Sequence, residues 1–220
     1  MPYLECLGAQ ANAWAPMFAL AAALLLARLA VFSPRLRRVG DHAPGIVDIG
    51  TLVRRGRYRG IRVHTGLLGR SGGGGFLRGR GRGEIWLRSD LFQRSDVDAL
   101  AILEHERGHA ERDLPIPRYA RRAIGALIVA GLGTALFRRD LASPATVVAL
   151  TAYGLSALAL LRDEVAASEY ALRELWTRDL PSPVWRQALT RLGAALGIYL
   201  ADAAFGAAAM AAIASALVCR

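Results

Sequence analysis

Four apolar blocks restrict what this chain of 220 residues can fold into. They cover Trp14 to Phe32, Ala123 to Phe137, Pro144 to Leu161 and Leu192 to Val218. A helix needs about 20 predominantly apolar residues to cross the hydrocarbon layer of a bilayer, and the second block is the shortest of the four. Because 54% of the sequence is hydrophobic, which a single soluble core rarely needs, the blocks predict an integral membrane protein.

The charges that flank the first block predict its orientation. No basic residue precedes the block, whereas Arg35, Arg37 and Arg38 follow it. Basic flanks favour the cytoplasmic side, so we expect the N-terminus outside and residues 33 onward inside. The expected location is the bacterial inner membrane. The net charge of +10 comes from arginines beside the apolar blocks, which favours contact with lipid headgroups and no nucleic acid partner. Glu5 ahead of the block is untypical of a secretory signal, so the block is interpreted as an uncleaved anchor.

Composition along the chain predicts five segments. Residues 1–32 form an N-terminal membrane anchor, and residues 33–118 form a cytoplasmic portion with both strands and helix. A membrane hairpin is predicted for residues 119–161. A further helix follows in residues 162–191, and a last membrane helix in residues 192–220.

The cytoplasmic portion is predicted to contain three short strands, at Gly45 to Val53, Gly60 to His64 and Glu84 to Arg88. The glycine-rich run of residues 70–83 lies between the second and third strands. We interpret it as a solvated hairpin connection, because it matches neither the dinucleotide nor the phosphate-loop fingerprint.

A helix is predicted from Ser95, where Ser95 and Asp98 fit a capping box, to about residue 112. It contains His105, Glu106 and His109 in the pattern HExxH. Residues four apart lie on one helical face with Cβ atoms about 6 Å apart, so both imidazoles can bind one zinc ion at about 2.1 Å. The motif therefore predicts a zinc centre.

Glu106 is expected to be the catalytic residue of this centre. Its carboxylate lies beside the metal, where zinc lowers the pKa of water from nearly 16 toward about 7. Glu106 would accept the proton from that water and later return it to the leaving amine. The motif thus predicts hydrolysis of peptide bonds.

Two histidines leave the zinc ion short of a third protein ligand. Only Cys6 and Cys219 occur, one near each end, so the ligand is expected to be an acid. The metzincin extension fails, because Arg112 and Pro115 stand where its glycine and histidine would be. The acidic candidates left open by the residues themselves are Glu111, Asp113, Asp163, Glu164 and Glu169.

Two parts of the chain resemble a known family. The run Leu103-Glu-His-Glu-Arg-Gly-His-Ala, followed some fifty residues later by Glu164-Val-Ala-Ala-Ser, is similar to the HtpX-like and CAAX-prenyl-protease-like membrane peptidases of metallopeptidase family 48, which are of the gluzincin type. The run from Ile85 to Phe92 resembles the strand and connection that precede the metal-binding helix in those enzymes. The resemblance covers residues 84–175.

The resemblance implies a set of site residues. Glu164 is the expected third zinc ligand. Ser168 stands where the family often has aspartate, a partner that orients ligands, and Asp163 or Glu169 is the expected substitute. The strand Ile85, Trp86, Leu87 and Arg88 is expected to offer an open edge that binds an extended peptide substrate.

The fold class expected from these observations is a mainly α membrane protein with about four membrane helices and a small α+β zincin-like cytoplasmic portion. If the chain crosses the membrane an even number of times between His109 and Glu164, the whole site lies on the cytoplasmic side. The same topology puts Cys6 and Cys219 outside, where a disulfide can form if they are close. Asp202, in the last apolar block, is expected to be a functional or a paired residue.

The expected function is that of a zinc-dependent endopeptidase, with one zinc ion, that cleaves peptides or proteins near the membrane. The resemblance adds membrane protein quality control as its setting. Two alternatives are a signalling peptidase of the beta-lactam antirepressor type and a zinc-binding scaffold in which Glu106 is not catalytic.

Overall fold

The structure, a computed structural model, describes residues 3–38, 62–65, 74–78, 83–87, 96–111 and 118–220. Its helices are α1 (Tyr3–Ala27), α2 (Ser33–Arg38), α3 (Val97–Glu111), α4 (Arg118–Phe137), α5 (Ala142–Trp176) and α6 (Ser182–Cys219). A π-helical turn, Arg28–Phe32, joins α1 to α2, and a 3-10 turn, Arg139–Leu141, joins α4 to α5. The strands are β1 (Arg62–Thr65), β2 (Gly74–Arg78) and β3 (Gly83–Leu87).

The described residues group into two compact units by their contacts. The first, which we call the bundle unit, lies within residues 1–31, 115–162 and 197–220. The second, which we call the site unit, lies within residues 32–114 and 163–196.

Three of the described helical segments are long and apolar enough to cross a membrane: Tyr3–Arg35, Arg139–Trp176 and Ser182–Cys219. Many of their large apolar side chains face outward, as Leu4 and Leu26 do. A soluble protein rarely exposes so much apolar surface, whereas lipid covers it without cost. The chain therefore has the helices that an integral membrane protein requires.

Small residues allow the helices of the bundle unit to pack closely. A Cβ atom added at Gly131 in α4 would lie 2.7 Å from the carbonyl oxygen of Ala145 in α5. A Cβ atom at Gly206 in α6 would overlap the hydroxyl of Tyr153, which donates a hydrogen bond to the carbonyl of Ala203. Close backbone approach at glycine and alanine is the usual way in which membrane helices associate.

Asp202 forms an ion pair with Arg28 in the bundle unit. Arg28 opens the π-helical turn at the end of α1, and Asp202 belongs to α6. Charges in apolar segments are costly unless they are paired, so each residue compensates the other. Asp202 was expected to be either functional or paired, and the ion pair with Arg28 shows that it is paired.

The three strands form one sheet in the order β1-β3-β2. β3 pairs in parallel with β1, with Ile85 opposite Val63, and in antiparallel with β2, with Ile85 opposite Phe76. The predicted strands at 60–64 and 84–88 thus correspond to β1 and β3, while the strand predicted at 45–53 lies outside the described residues. β2 lies in the glycine-rich run that was predicted to be a loop.

The prediction of an open substrate edge at Ile85, Trp86, Leu87 and Arg88 is wrong for the described strand. β3 is the central strand, so its backbone groups already pair with β1 on one side and with β2 on the other. Ile85 is fully buried in the core, and Arg88 lies outside the described residues. An incoming peptide cannot form a ladder with a strand that has a neighbour on each side.

α3 is the buried helix of the site unit, and its start matches the sequence prediction closely. The side chain of Asp96, rather than Ser95, caps it: its Oδ1 accepts a hydrogen bond of 3.0 Å from the backbone N–H of Ala99. Every residue from Val97 to Glu106 is buried. Its apolar side chains form one core with Ile85 and with residues of the last part of α5 and the first part of α6, including Leu175 and Leu192.

The predicted fold class requires correction. Three described helices, not about four, have the length and composition of a membrane span, because Arg122–Phe137 covers the second apolar block with too few residues. The described chain is overwhelmingly helical. Its strands have only four or five residues each, and they do not amount to a zincin-like α+β portion.

Cys6 and Cys219 form a disulfide, with Cα atoms 5.6 Å apart. The bond joins the first turn of α1 to the end of α6 within the bundle unit. It closes almost the whole chain into a loop, since the two residues are separated by 213 positions. Such a link restricts the unfolded chain and thereby stabilises the folded one.

We expect the double variant Cys6→Ser with Cys219→Ser to unfold at a lower temperature in detergent micelles. The loss should correspond to about 2–5 kcal/mol, the usual effect of removing a native disulfide. Reductant should lower the unfolding midpoint of the natural protein and leave that of the variant unchanged. Labelling of either cysteine by a thiol reagent in the unreduced, unfolded protein would contradict the disulfide.

Candidate metal centre

His105 and His109 lie on one face of α3, as their spacing predicts. Their ring centroids are 4.9 Å apart and the ring planes are nearly perpendicular. His105 is buried, and the side chain of His109 is 11% exposed. Because α3 is anchored in the core on its other faces, the two rings have little freedom to turn away from each other.

α5 approaches α3 very closely at Gly108, between the two histidines. A Cβ atom at this position would lie 2.8 Å from the carbonyl oxygen of Ala167 and 2.9 Å from its Cα. It would also meet the Cβ of Tyr170 at 3.1 Å. Only glycine allows this approach, and the approach brings the turn of α5 that starts at Asp163 over the histidines.

Glu164 is the acid that reaches both imidazoles. Its Oε2 atom lies 3.1 Å from Nε2 of His105 and 3.6 Å from Nε2 of His109. Glu164 is 6% exposed. The residue that the resemblance implied as third ligand is therefore next to the HExxH pair, 59 positions away in sequence from His105.

The second nitrogen of each ring also has a partner. Nδ1 of His105 lies 3.2 Å from Oγ of Ser168, and Nδ1 of His109 lies 3.5 Å from Oδ2 of Asp163. Both partners are buried. Two of the three candidates for orienting the imidazoles thus contact them, whereas Glu169 is exposed.

Glu106 is buried at the same place, with 8% of its surface exposed. Burial raises the pKa of its carboxyl group above the ordinary value, and the negative charge of Glu164 adds to this, although His105 and His109 act in the opposite direction. For His109, burial by itself lowers the pKa. The hydrogen bond with Glu164 and the charges of Glu106, Glu164 and Asp163 outweigh it, so the pKa is raised.

The group His105, His109 and Glu164 can hold a metal ion. One ligand atom from each residue lies within 4.8 Å of the others. Ligands bound at about 2.0–2.2 Å in a tetrahedron lie about 3.3–3.6 Å apart, close to the distances that separate Glu164 from each imidazole. Two nitrogens and one carboxylate oxygen are the donor set that zinc takes in many hydrolases.

The charge of the site also fits a cation. Glu106, Asp163 and Glu164 are all buried around two imidazoles that are neutral when they act as ligands. Buried carboxylates are costly unless they are paired or bind a metal, so a divalent ion would compensate most of this charge.

Sequence reasoning missed the ion pairs that hold α3 in place. The buried carboxylate of Glu104 contacts Arg178, in the turn after α5, and lies 3.5 Å from Arg107. Arg107 also bonds Glu174 of α5 at 3.3 Å. A glutamate beside the motif gave no signal by itself, because its partner Arg178 is 74 positions away. Gly108 was a better signal, since an isolated glycine inside a helix often marks a close contact.

Of the other acidic candidates for the third ligand, Asp163 lies beside Nδ1 of His109 rather than beside the Nε2 atoms that face Glu164, and Glu169 is exposed. Glu111 is exposed and bonds Arg107 at 3.2 Å. Asp113 lies outside the described residues.

Comparison with known proteins gives no relative from which a family could be assigned. No protein-family model, no curated protein and no solved structure matches the chain.

We expect Gly108→Ala to disturb the metal centre. The added methyl group meets backbone atoms of α5 that cannot move aside alone, so the helices must separate, at about 1–3 kcal/mol for overpacking. Zinc content after dialysis should fall, as measured by atomic absorption. Gly193→Ala, where a Cβ meets nothing within 4 Å, is the matched control and should keep both zinc and stability. Full zinc retention in Gly108→Ala would contradict the contact.

Proposed function

We propose that the protein is a zinc-dependent endopeptidase embedded in a membrane. The observation that carries the proposal is the convergence of His105, His109 and Glu164 in a buried cluster with Glu106 beside it. The likeness of the motifs to family 48 peptidases agrees with it.

The residues divide the chemistry among them. His105, His109 and Glu164 would hold one zinc ion, which acidifies water and polarises a peptide carbonyl when bound. Glu106 is buried, and its carboxylate is close enough to His105, His109 and Glu164 to interact with them electrostatically. It acts as the general base that takes the proton from water, and then as the acid that gives a proton to the leaving nitrogen.

The substrates we propose are extended or unfolded protein segments close to the bilayer. Three membrane-spanning helices would confine the enzyme to the membrane, so substrates must reach it there. The resemblance to family 48 peptidases adds membrane protein quality control as the proposed setting.

We infer that the metal centre lies on the cytoplasmic side. Disulfides persist in oxidising compartments, so the bond that Cys6 forms favours an outer location for the start of the first span. Arg35, Arg37 and Arg38 after the first span favour the cytoplasm for the residues that follow it. Both observations give the same orientation for the first span.

We expect Glu106→Gln to keep its zinc and to lose cleavage of casein by at least about 100-fold, the contribution of general base catalysis. The amide has the shape of the carboxylate but accepts no proton. Zinc content and proteolysis of the purified protein in micelles provide the two readouts. Glu111→Gln, on the exposed face of the same helix, is the control and should keep both properties.

Equal cleavage by the natural protein and Glu106→Gln would reject the proposed enzyme. Zinc binding without any cleavage of peptides or proteins by the natural protein would favour the scaffold alternative instead.

Orientation is tested by placing single cysteines at residues 40 and 177 in the Cys6→Ser, Cys219→Ser background. A thiol reagent that does not cross membranes should label both residues only after permeabilisation. Labelling of residue 40 from outside would overturn the orientation.

A further inference from the structure

We propose that Asp163 and Ser168 are positioning residues of the metal centre, and that Asp163 contributes more to metal affinity than Ser168. The inference rests on the metal-binding part of the proposed function and does not depend on catalysis. Neither residue is a ligand, since each acts through an imidazole.

Each imidazole is held at both of its nitrogens. Nε2 of His105 and Nε2 of His109 both face Oε2 of Glu164. On the opposite side of each ring, Nδ1 of His105 faces Ser168 and Nδ1 of His109 faces Asp163. Rotation of either ring would break two contacts at once.

These contacts fix which nitrogen of each ring is free to bind a metal. A neutral imidazole carries one proton, and a ring that binds a metal through Nε2 must carry it on Nδ1. The hydroxyl oxygen of Ser168 then accepts a hydrogen bond from the N–H of His105, and the carboxylate of Asp163 attracts the N–H of His109 electrostatically. Both residues thereby select the tautomer that presents a lone pair toward Glu164.

The two partners differ in charge. Asp163 brings a negative charge, which attracts the N–H of His109 more strongly than a neutral oxygen would and increases the electron density on the ring of His109. Ser168 brings a hydroxyl, which orients His105 without changing the charge of the site. We therefore expect His109 to be the ligand that depends more on its partner.

Burial makes the loss of either partner measurable. Ser168 is 3% exposed and Asp163 is 9% exposed, so water has little access to replace a missing acceptor. An imidazole N–H left without a partner in a buried place loses its orientation and its hydrogen bond together.

The test is a titration of the metal-free, full-length protein in micelles with cobalt(II), whose visible absorption reports the ligand field of a tetrahedral site. Zinc is then titrated in competition. The variants are Asp163→Asn and Ser168→Ala. Glu169→Gln changes an exposed acid to its amide on the same turn of α5 and is the matched control.

We expect Asp163→Asn to weaken binding by about 10- to 100-fold, and Ser168→Ala by about 10-fold, at the low end of the range for such partners. Both variants should still bind one ion per chain at saturation, with a shifted cobalt spectrum. Glu169→Gln should match the natural protein. One ion at saturation in a variant shows that the site still forms, which separates a loss of positioning from a loss of folding.

Natural affinity and spectrum in either variant would overturn the role of that residue. A larger loss for Ser168→Ala than for Asp163→Asn would overturn the order. If the natural protein binds neither zinc nor cobalt, the metal centre itself is rejected, and the proposed function fails before the positioning residues are tested.

Discussion

The site unit depends on one contact, the approach of the α5 backbone to Gly108 of α3. The contact leaves no room for a Cβ atom between the Gly108 position and Ala167. Ala167 lies one helical turn after Glu164 and directly before Ser168, so the same approach brings the third ligand candidate and one imidazole partner to the histidines. Local helical geometry aligns His105 with His109, but only this close packing adds the acid. The glycine of the motif thus has a structural task that is separate from the chemistry of its neighbours.

Compensation of buried charge is the second constraint on this unit. Glu104 is fully buried and contacts Arg178, while Arg107 links it to α5 through Glu174. Such pairs offset the cost of taking carboxylates out of water, and they would not tolerate the loss of one partner. Glu106, Asp163 and Glu164 lie close to imidazoles rather than to arginines. Imidazoles compensate these acids only when they are protonated, whereas a bound divalent cation does so with both rings neutral, which is why the cluster favours a metal.

The sequence was sufficient to predict those parts of the structure that follow from local spacing or from long apolar runs. The HExxH helix has the predicted limits to within two residues, and the strands β1 and β3 overlap predicted ones. The pairing of distant segments could not be predicted from the sequence. Nothing in residues 83–87 indicates that β3 lies between two strands. β2 forms in a run whose glycines favour a loop. The count of membrane helices failed because Ala123 to Phe137 is apolar but too short to span. Glu164 was reached by resemblance, since spacing alone left five acids open.

A serine at position 168, where the resembled family often has aspartate, suits the charge of the site. Asp163 already supplies a buried carboxylate to His109, and Glu106 and Glu164 add two more acids nearby. A fourth carboxylate at position 168 would face His105 inside the same buried cluster, where each uncompensated negative charge costs several kcal/mol. A hydroxyl accepts the same hydrogen bond from Nδ1 and adds no charge. Ser168 therefore satisfies the geometry that His105 requires, while Asp163 provides the carboxylate on the other ring.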